Sequence, residues 1–368
     1  MTDKLDVPVA LFVFNRPDLF ARVLSAVRNA RPRLLLVVAD GARPGHAEDI
    51  ANCRAALDLV ESVDWPCEVR RCVAEQNLGC DVRITSGLDW VFGQVAEAIV
   101  LEDDIVPDPS FFPWCAAMLH RYRDQSEFMH VSGRNELGRW GDGESDHLIA
   151  RRGSVWGWAT WARAWFGVGR TLRADESVQC AIDRLALDPL LRAELDISLG
   201  LAASGGLAAW DVIWKTEKVL AGGLSIVSTV NLVMNAGFGA QATRTDDEAD
   251  LRAVFPSGSI ARSASFIRKC RQDIDPTYDR WSLLLELMAA YRNPALARKL
   301  ARFPKVTSDP RIGRDIAIAH HLAPFATPEE SVAVLEHLNS IGIFTPRIAA
   351  LHAEFRAELN TRRESRHV

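Results

Sequence analysis

The sequence predicts an α/β protein with a mostly parallel sheet flanked by helices, followed by an all-helical C-terminal region. Two observations support this prediction. In the first part of the chain, short apolar runs alternate with segments of helical periodicity, and the runs are continuous, as in strands buried on both faces. Beyond about residue 275 the patterns are helical throughout. We therefore expect two domains, at residues 1–260 and 275–368.

Four strands and three intervening helices are predicted in chain order. The strands lie in residues 9–15, in 33–42, where the strand stops at Asp40-Gly41, in 67–79, which hold a strand and a turn, and in 98–104. The helices are residues 19–30, 48–63 and 82–95. Polar residues lie at the ends of these strands, namely Asn15 and Arg16, Asp40, Asn77, and Glu102 to Asp104. Ligands of parallel sheets bind outside the carboxyl ends of the strands, so we expect these residues to line a site.

The composition is typical of a soluble globular protein. The chain has 368 residues, of which 48% are hydrophobic and 25% charged, and its net charge of -5 favours no nucleic-acid partner. The first apolar run is interrupted by Pro8 and is too short to span a membrane, so any membrane association is expected to be peripheral. Seven cysteines without a C-x-x-C pair fit neither a disulfide framework nor a zinc site, which indicates reduced thiols in the cytoplasm.

Three adjacent carboxylates, Glu102, Asp103 and Asp104, follow the fourth strand. Like charges this close raise one another's pKa unless a cation offsets them. Mg²⁺ and Mn²⁺ are often held by one or two carboxylates together with water and substrate phosphates. The alternative is a solvated loop or a helix start at "DPSFF". The position at a strand end favours a divalent cation.

The acidic triplet resembles the E-D-D form of the D-x-D motif in nucleotide-sugar glycosyltransferases of the GT-A fold. Within that fold it resembles the N-acetylglucosaminyltransferase I type and related bacterial enzymes of surface-glycan synthesis. Five further pieces occur in the expected order: "FNRPDLFARVL", "ADGAR", "QNLG", "SVWGWATWARAW" and "AWDVIWK". The resemblance covers about residues 7–245.

The resemblance implies roles for the polar residues at the strand ends. Asp104 would ligate Mn²⁺ or Mg²⁺, Asp103 would lie against the ribose and the metal, and Glu102 would face the transferred sugar. Asp40 would accept a hydrogen bond from a uracil base, although Asp-Gly is also a common turn pair. Arg16 would lie near the nucleotide; at a helix start, where the macrodipole favours anions, a bound phosphate would explain it.

Three further residues are candidates for donor binding. Asn15 and Asn77 lie at strand ends, and Arg83 lies on the helix before the acidic triplet. Arg83 can equally be an ordinary exposed helix charge.

The tryptophan-rich stretch at residues 154–165 favours a sugar pocket, because sugar rings stack on aromatic planes. Trp156 and Trp158 are the candidates, together with Trp210. Trp161 and Trp165, at i, i+4 spacing, are expected to pack inward.

Asp211 is the candidate catalytic base, because the resemblance places the base of an inverting transfer in this W-D pair. Its aromatic neighbours would raise the carboxyl pKa. The alternative is a helix N-cap. Further on, this chain has Gln241 and Arg244 where related sequences carry an acid and a histidine. Arginine binds phosphate but not metals, so Arg244 is expected to contact the donor.

The C-terminal region is predicted to form paired helices. These are expected at residues 280–292, 295–303, 313–322, 329–342 and 346–360. They would dock a partner, position an acceptor or form a homodimer.

Together these features predict an inverting glycosyltransferase. It would move a sugar from a nucleotide-diphosphate donor, with UDP as the expected nucleotide, to a hydroxyl of a glycan, lipid-linked or protein acceptor. One alternative is a sugar-phosphate nucleotidyltransferase, but such enzymes need a glycine-rich loop after the first strand, and "NRPD" has no glycine. The other is a catalytically silent subunit that binds nucleotide sugars or glycans, which the missing histidine would favour.

Overall fold

The computed structural model describes residues 4–141, 143–173, 175–203, 209–238, 255–260, 273–291 and 327–364. Its strands are β1 (Val9–Val13), β2 (Leu34–Ala39), β3 (Glu68–Val73), β4 (Glu97–Glu102), β5 (Ile105–Pro107), β6 (Phe128–Ser132), β7 (His147–Ala150), β8 (Trp158–Trp161), β9 (Leu224–Ser228) and β10 (Val233–Asn235). Its helices are α1 (Pro17–Ala30), α2 (Ala47–Val60), α3 (Cys80–Phe92), α4 (Phe111–Arg121), α5 (Ala162–Phe166), α6 (Glu176–Arg184), α7 (Pro189–Ala203), α8 (Trp210–Leu220), α9 (Pro276–Tyr291), α10 (Pro328–Ser340) and α11 (Pro346–Glu364).

A mixed, mostly parallel sheet dominates the described part of the chain. Its eight strands lie in the order β3-β2-β1-β4-β8-β6-β9-β7. Strands β3, β2, β1 and β4 run parallel, β8 is antiparallel between β4 and β6, β9 is parallel to β6, and β7 is antiparallel at the edge. β5 and β10 form a small antiparallel pair. The predicted fold class, a mostly parallel sheet with flanking helices and a helical C-terminal region, is confirmed.

Strand β1 shows why the apolar runs are continuous. Its five residues are all buried, and successive side chains point to opposite faces of the sheet. Val9, Leu11 and Val13 join one core with α1, α2 and α4, whereas Ala10 and Phe12 join a second core with α3, α5 and α8. A strand covered on both sides has no polar face, so helix layers on both faces follow from the sequence pattern.

The four strands and three helices predicted for residues 9–104 are confirmed, with ends that differ by a few residues. Strands β6 to β9 were not predicted. They are only four or five residues long. The i, i+4 spacing of Trp161 and Trp165 also suggested a helix, whereas the structure ends β8 at Trp161 and starts α5 at Ala162.

The C-terminal helices pack on the β7 end of the sheet. Leu148 of β7 and Val227 of β9 belong to the same buried cluster as Leu284 of α9, Leu335 of α10 and Leu351 of α11. The predicted helices at 295–303 and 313–322 lie outside the described residues, and the boundary between two domains stays a prediction. No described helix combines the length and the apolar character needed to cross a membrane.

The shared cluster generates a prediction about stability. Leu335→Ala removes a side chain that is 0% exposed and leaves a cavity, so the free energy of unfolding should fall by about 2–5 kcal/mol. Because the cluster includes sheet residues, urea should still unfold the chain in one transition, with circular dichroism and tryptophan fluorescence coinciding. Phe344→Ala is the control, since Phe344 is 67% exposed. A separate early transition in Leu335→Ala would contradict the shared core.

Candidate functional site

The acidic triplet lies where the strand order reverses. The chain proceeds from β1 to β2 and β3 on one side, whereas β4 lies on the other side of β1. The register pairs Phe12 with Glu102, so the residues after β1 and the carboxylates after β4 leave the sheet side by side. A reversal of this kind opens a crevice at the carboxyl ends of the two strands, which is where open α/β sheets bind ligands.

Arg16 supplies the cation that the triplet requires. Its Nη2 donates to Oδ1 of Asp103, and its Nη1 lies 3.0 Å from Oδ2 of Asp104. Oδ2 of Asp103 accepts a second hydrogen bond, 3.0 Å long, from the backbone N–H of Phe14. The guanidinium therefore bridges both aspartates, and the β1–α1 connection is tied directly to the end of β4.

Burial and charge oppose each other in this cluster. Burial disfavours the charged Arg16 guanidinium, but Asp103 and Asp104 outweigh burial and raise its pKa. Burial raises the pKa of the Asp103 carboxyl, although Arg16 pulls that pKa downward. The two aspartates also explain why a cation lies at the start of α1: they compensate it locally, and no bound phosphate is needed to account for it.

Gly237 packs directly against the Asp104 carboxylate. A Cβ at Gly237 would lie 2.1 Å from Oδ2 of Asp104 and 2.9 Å from Nη1 of Arg16. Strand β10 brings the glycine there by pairing with β5, and the N–H of Ala236 donates to the carbonyl of Asp104 at 2.8 Å. Asn235 Oδ1 accepts from the N–H of Gly237 at 2.7 Å. Only a residue without a side chain fits this contact, and no sequence motif pointed to Gly237.

Asp104 retains one carboxylate oxygen for a ligand. Both oxygens of Asp103 are engaged, by Arg16 and Phe14, whereas Oδ1 of Asp104 has no hydrogen-bond partner among the described residues. The Asp104 side chain is 12% exposed. Within those same residues, no group of three His, Cys, Asp or Glu side chains is arranged for a metal. Oδ1 of Asp104 could therefore be at most one protein ligand of a hard cation whose shell is completed by water and phosphate.

Asp40 joins two loops at the same edge. Its carboxylate accepts from the N–H groups of Gly41, Leu78 and Gly79, at 2.9, 2.9 and 3.2 Å, and from Nδ2 of Asn77 at 3.1 Å. Asn77 Nδ2 also donates to the carbonyl of Gly41 at 2.9 Å. Both residues thus fix the loops after β2 and β3. Contacts from Asp40 and Asn77 to a donor stay predictions.

Asn15 has a similar internal role. Its Nδ2 donates to Oδ1 of Asp49 at 2.6 Å, and Asp49 also accepts from Nε of Arg43 at 2.6 Å. The guanidinium of Arg43 lies 5.5 Å from the ring centre of Phe14. Hydrogen bonds from Arg43 keep the pKa of Asp49 well below its usual range. Asp49 and Arg43 could not be identified from the sequence, because an acid in a helix and an arginine in a loop carry no distinctive pattern.

Arg83 is not an exposed helix charge. It is 6% exposed, and its Nη2 donates to the carbonyl of Cys72 at the end of β3. Its Nε is buried without a hydrogen-bond partner among the described residues. Donor binding by Arg83 stays a prediction.

Among the predicted pocket tryptophans, Trp156 contacts the segment that packs against the acidic cluster. Its ring meets that of Phe238 edge to face, with centroids 5.7 Å apart, and Phe238 follows Gly237 directly. On its other side the guanidinium of Arg134 lies 4.6 Å from the ring centre. Trp156 and Phe238 thus form one aromatic surface that continues into the segment containing Gly237.

Trp158 does not line a pocket, contrary to the prediction. It is 1% exposed and stacks on His130, with centroids 5.1 Å apart, in the core under α8. Trp210 is 6% exposed and packs against Trp158. The cavity beside Trp210 measures about 20 Å³, enough for about one water molecule and too small for a sugar. Trp161 and Trp165, each 2% exposed, pack inward as predicted.

Asp211 lies in the first turn of α8 and is not its N-cap. The N-cap position belongs to Ala209, and the first helical N–H, that of Trp210, donates to Oδ1 of Asp81 at 3.1 Å. Because Asp81 opens α3 after β3, this bond brings the start of α8 to the carboxyl edge of the sheet. Oδ2 of Asp211 accepts from Nζ of Lys215 at 3.1 Å, and the Asp211 side chain is 22% exposed.

The predicted phosphate contact, Arg244, lies outside the described residues, as does Gln241.

Comparisons with known proteins give no family assignment. No protein family matches the sequence, and no curated protein matches it. Among solved structures, a mannosyltransferase from Pyrobaculum calidifontis in complex with GDP-Man and Mn²⁺ is 13% identical, with a TM-score of 0.41 over 97% of this chain and 81% of that one.

Two pyrophosphorylase structures are also similar. One is a UDP-glucose pyrophosphorylase complexed with UDP-glucose, 10% identical, with a TM-score of 0.30 over 60% of this chain and 90% of that one. The other is a UTP-bound UGPase from Acinetobacter baumannii, 10% identical, with a TM-score of 0.30 over 63% and 88%. The identities and TM-scores of all three structures are too low to support an argument about this chain, so its function must be inferred from its own residues.

The contact at Gly237 generates a prediction. Gly237→Ala forces Asp104 away from Arg16, so the free energy of unfolding should fall by about 1–3 kcal/mol, as for other overpacked sites. Gly200→Ala is the matched control: nothing lies within 4 Å of its added Cβ, and alanine in the interior of α7 should raise stability by about 0.5–1 kcal/mol. Urea denaturation measures both. Equal stability of Gly237→Ala and wild type would show that the contact does not constrain Asp104.

Proposed function

We propose that this protein is a metal-dependent glycosyltransferase that uses a nucleotide-diphosphate sugar as donor. The observation that carries the proposal is the cluster of Arg16, Asp103 and Asp104 in the crevice between β1 and β4. It combines a cation for phosphate with a carboxylate oxygen for a metal, at the place where α/β sheets bind nucleotides.

The donor diphosphate would be held by a metal ion bound to an acidic side chain and by a basic side chain. Oδ1 of Asp104 would hold Mn²⁺ or Mg²⁺, and the guanidinium of Arg16 would lie within reach of the phosphates. The metal would neutralise the negative charge that develops on the leaving diphosphate. If Nη1 of Arg16 turned from Asp104 to a phosphate oxygen, the guanidinium would keep an anionic partner, because its Nη2 still donates to Asp103.

Asp211 would be the catalytic base of an inverting transfer. It is partly exposed at the start of α8 and lies in a helix that is anchored in the tryptophan core. Burial disfavours the charged Lys215 ammonium, but Asp211 and Glu286 outweigh burial and raise its pKa. Lys215 would therefore stay protonated and hold the Asp211 carboxylate in place while it takes the proton of an acceptor hydroxyl.

Two alternatives remain to be separated by experiment. The β1–α1 connection, residues 14–16, contains no glycine and carries Arg16 bound to the aspartates, which does not favour a sugar-phosphate nucleotidyltransferase. A silent binding subunit would bind the nucleotide without turnover. Incubating the protein with UDP- and GDP-sugars and Mn²⁺, and measuring released nucleoside diphosphate, tests the proposal. Binding of the sugar nucleotides without release, or formation of a nucleotide sugar and pyrophosphate from a nucleoside triphosphate and a sugar phosphate, would contradict it.

The metal assignment generates one prediction. Asp104→Ala and the shape-conserving Asp104→Asn should each abolish the increase in nucleoside-diphosphate affinity that Mn²⁺ causes in the wild type, because the carboxylate oxygen is lost. Isothermal calorimetry with and without Mn²⁺ measures this. Asp58→Asn is the control, because the Asp58 side chain is 70% exposed on α2. A full Mn²⁺ response in both Asp104 variants would remove Asp104 from the metal site.

The base assignment generates another prediction. Asp211→Asn keeps the shape of the side chain but cannot accept the proton, so the transfer rate should fall by roughly a hundredfold to ten-thousandfold. Donor affinity, measured by calorimetry, should stay at the wild-type value, and the melting temperature should fall only slightly, because the variant loses one partly exposed ion pair with Lys215. Asp81→Asn is the contrasting variant, since it weakens the bond to Trp210 N–H and should lower stability. Near wild-type transfer by Asp211→Asn would show that another group is the base.

A further inference from the structure

A large cavity lies between the sheet and the C-terminal helices. Its volume is about 640 Å³, which is within the range of small-molecule sites. Its lining comes from the segments after β6 and β9, the start of β7, the start of α9 and the end of α10. Arg139, Asp273 and Thr277 are exposed lining residues, so the cavity opens to solvent.

The cavity opens at the same edge of the sheet as the acidic cluster. Thr229 follows β9 at its carboxyl end, and the register of His147 with Ser228 places the start of β7 beside it. The sheet order puts β8 and β6 between β4 and β9. With strands about 4.8 Å apart, the cavity lies roughly 15 Å from the carboxylates after β4. An extended molecule that reaches the cavity can therefore also reach the proposed donor site.

An oriented indole forms one wall of the cavity. Nε1 of Trp140 donates to Oδ2 of Asp275 at 2.9 Å, and the rings of Trp281 and His337 meet it edge to face, with centroids 5.1 and 5.2 Å away. The backbone N–H of Trp140 donates to the carbonyl of Thr229 at 2.9 Å. The half-buried ring is thus fixed from several sides before any ligand arrives.

The remaining lining favours a neutral polyhydroxylated ligand. The lining includes one arginine, Arg139, and two aspartates, Asp273 and Asp275, so charges of both signs line the cavity. Asp275 is already engaged by Trp140 and by the N–H of Tyr278, at 2.9 Å each. A sugar presents an apolar C–H face to an aromatic ring and hydroxyls that both donate to a carboxylate and accept from a guanidinium.

We propose that this cavity binds the saccharide portion of the acceptor and so makes the acceptor a glycan. That the bound saccharide is an acceptor rests on the proposed function, whereas the binding of carbohydrate itself does not. The C-terminal helices would then contribute one wall of the acceptor subsite, through α9 and α10.

The experiment measures carbohydrate binding directly. Saturation-transfer NMR and calorimetry with neutral tetrasaccharides of hexoses and of N-acetylhexosamines should identify at least one that binds the wild-type protein. Thr277→Trp fills the cavity from an exposed position, and Arg139→Ala combined with Asp273→Ala removes the charged walls. The double variant should weaken tetrasaccharide binding about tenfold or more, the effect of one or two lost hydrogen bonds, and Thr277→Trp should weaken it at least as much because the indole occupies the cavity. Thr361→Trp, the same change at an exposed position of α11 outside the lining, should bind as wild type.

The outcomes separate this inference from the proposed function. Binding of nucleoside diphosphate with no tetrasaccharide bound, or unchanged tetrasaccharide affinity in both cavity variants, would overturn the inference and leave the proposed function standing. Tetrasaccharide binding that the cavity variants weaken, without any binding of nucleoside diphosphate, would support the cavity and overturn the proposed function.

Discussion

The ion pairs of Arg16 with Asp103 and Asp104 are the interaction on which the site depends. They join the connection after β1 to the end of β4 across the point where the strand order reverses. Removing the guanidinium would leave two adjacent carboxylates without a counter-charge, and removing the carboxylates would leave an uncompensated guanidinium, and either loss is strongly destabilising at a largely buried site. Each therefore requires the other, and the crevice offers one guanidinium and one carboxylate oxygen to the proposed donor and metal.

The surrounding architecture brings other groups to the same edge. Asp40 ties together the loops after β2 and β3, and Asp81 holds the first N–H of α8. Because α8 leads into β9, which runs parallel to β6, its start lies at the carboxyl edge of the sheet, together with Asp211. The cavity beside Trp140 opens at that edge as well. Donor, base and saccharide sites can thus be arranged along one side of the molecule.

The sequence predicted the elements whose pattern is local. Continuous apolar runs identified β1 to β4, and the polar residues after them marked the edge where the site lies. Contacts between distant positions could not be predicted in this way: Arg16 meets Asp103 across 87 positions. Gly237 carries no chemical group, so its closeness to Asp104 had no signal in the sequence. Trp158 was assigned to the pocket because a buried and an exposed tryptophan look alike in a sequence, and only the packing of β8 under α8 decides.

The most direct test of the site is to locate the metal and the nucleotide in a crystal. Crystals grown with Mn²⁺ and GDP or UDP should show an anomalous manganese peak in contact with Asp104, between the carboxylate and the diphosphate. The diphosphate should lie within hydrogen-bond distance of Arg16. A manganese peak elsewhere, or a nucleotide bound away from the β1–β4 crevice, would contradict the account.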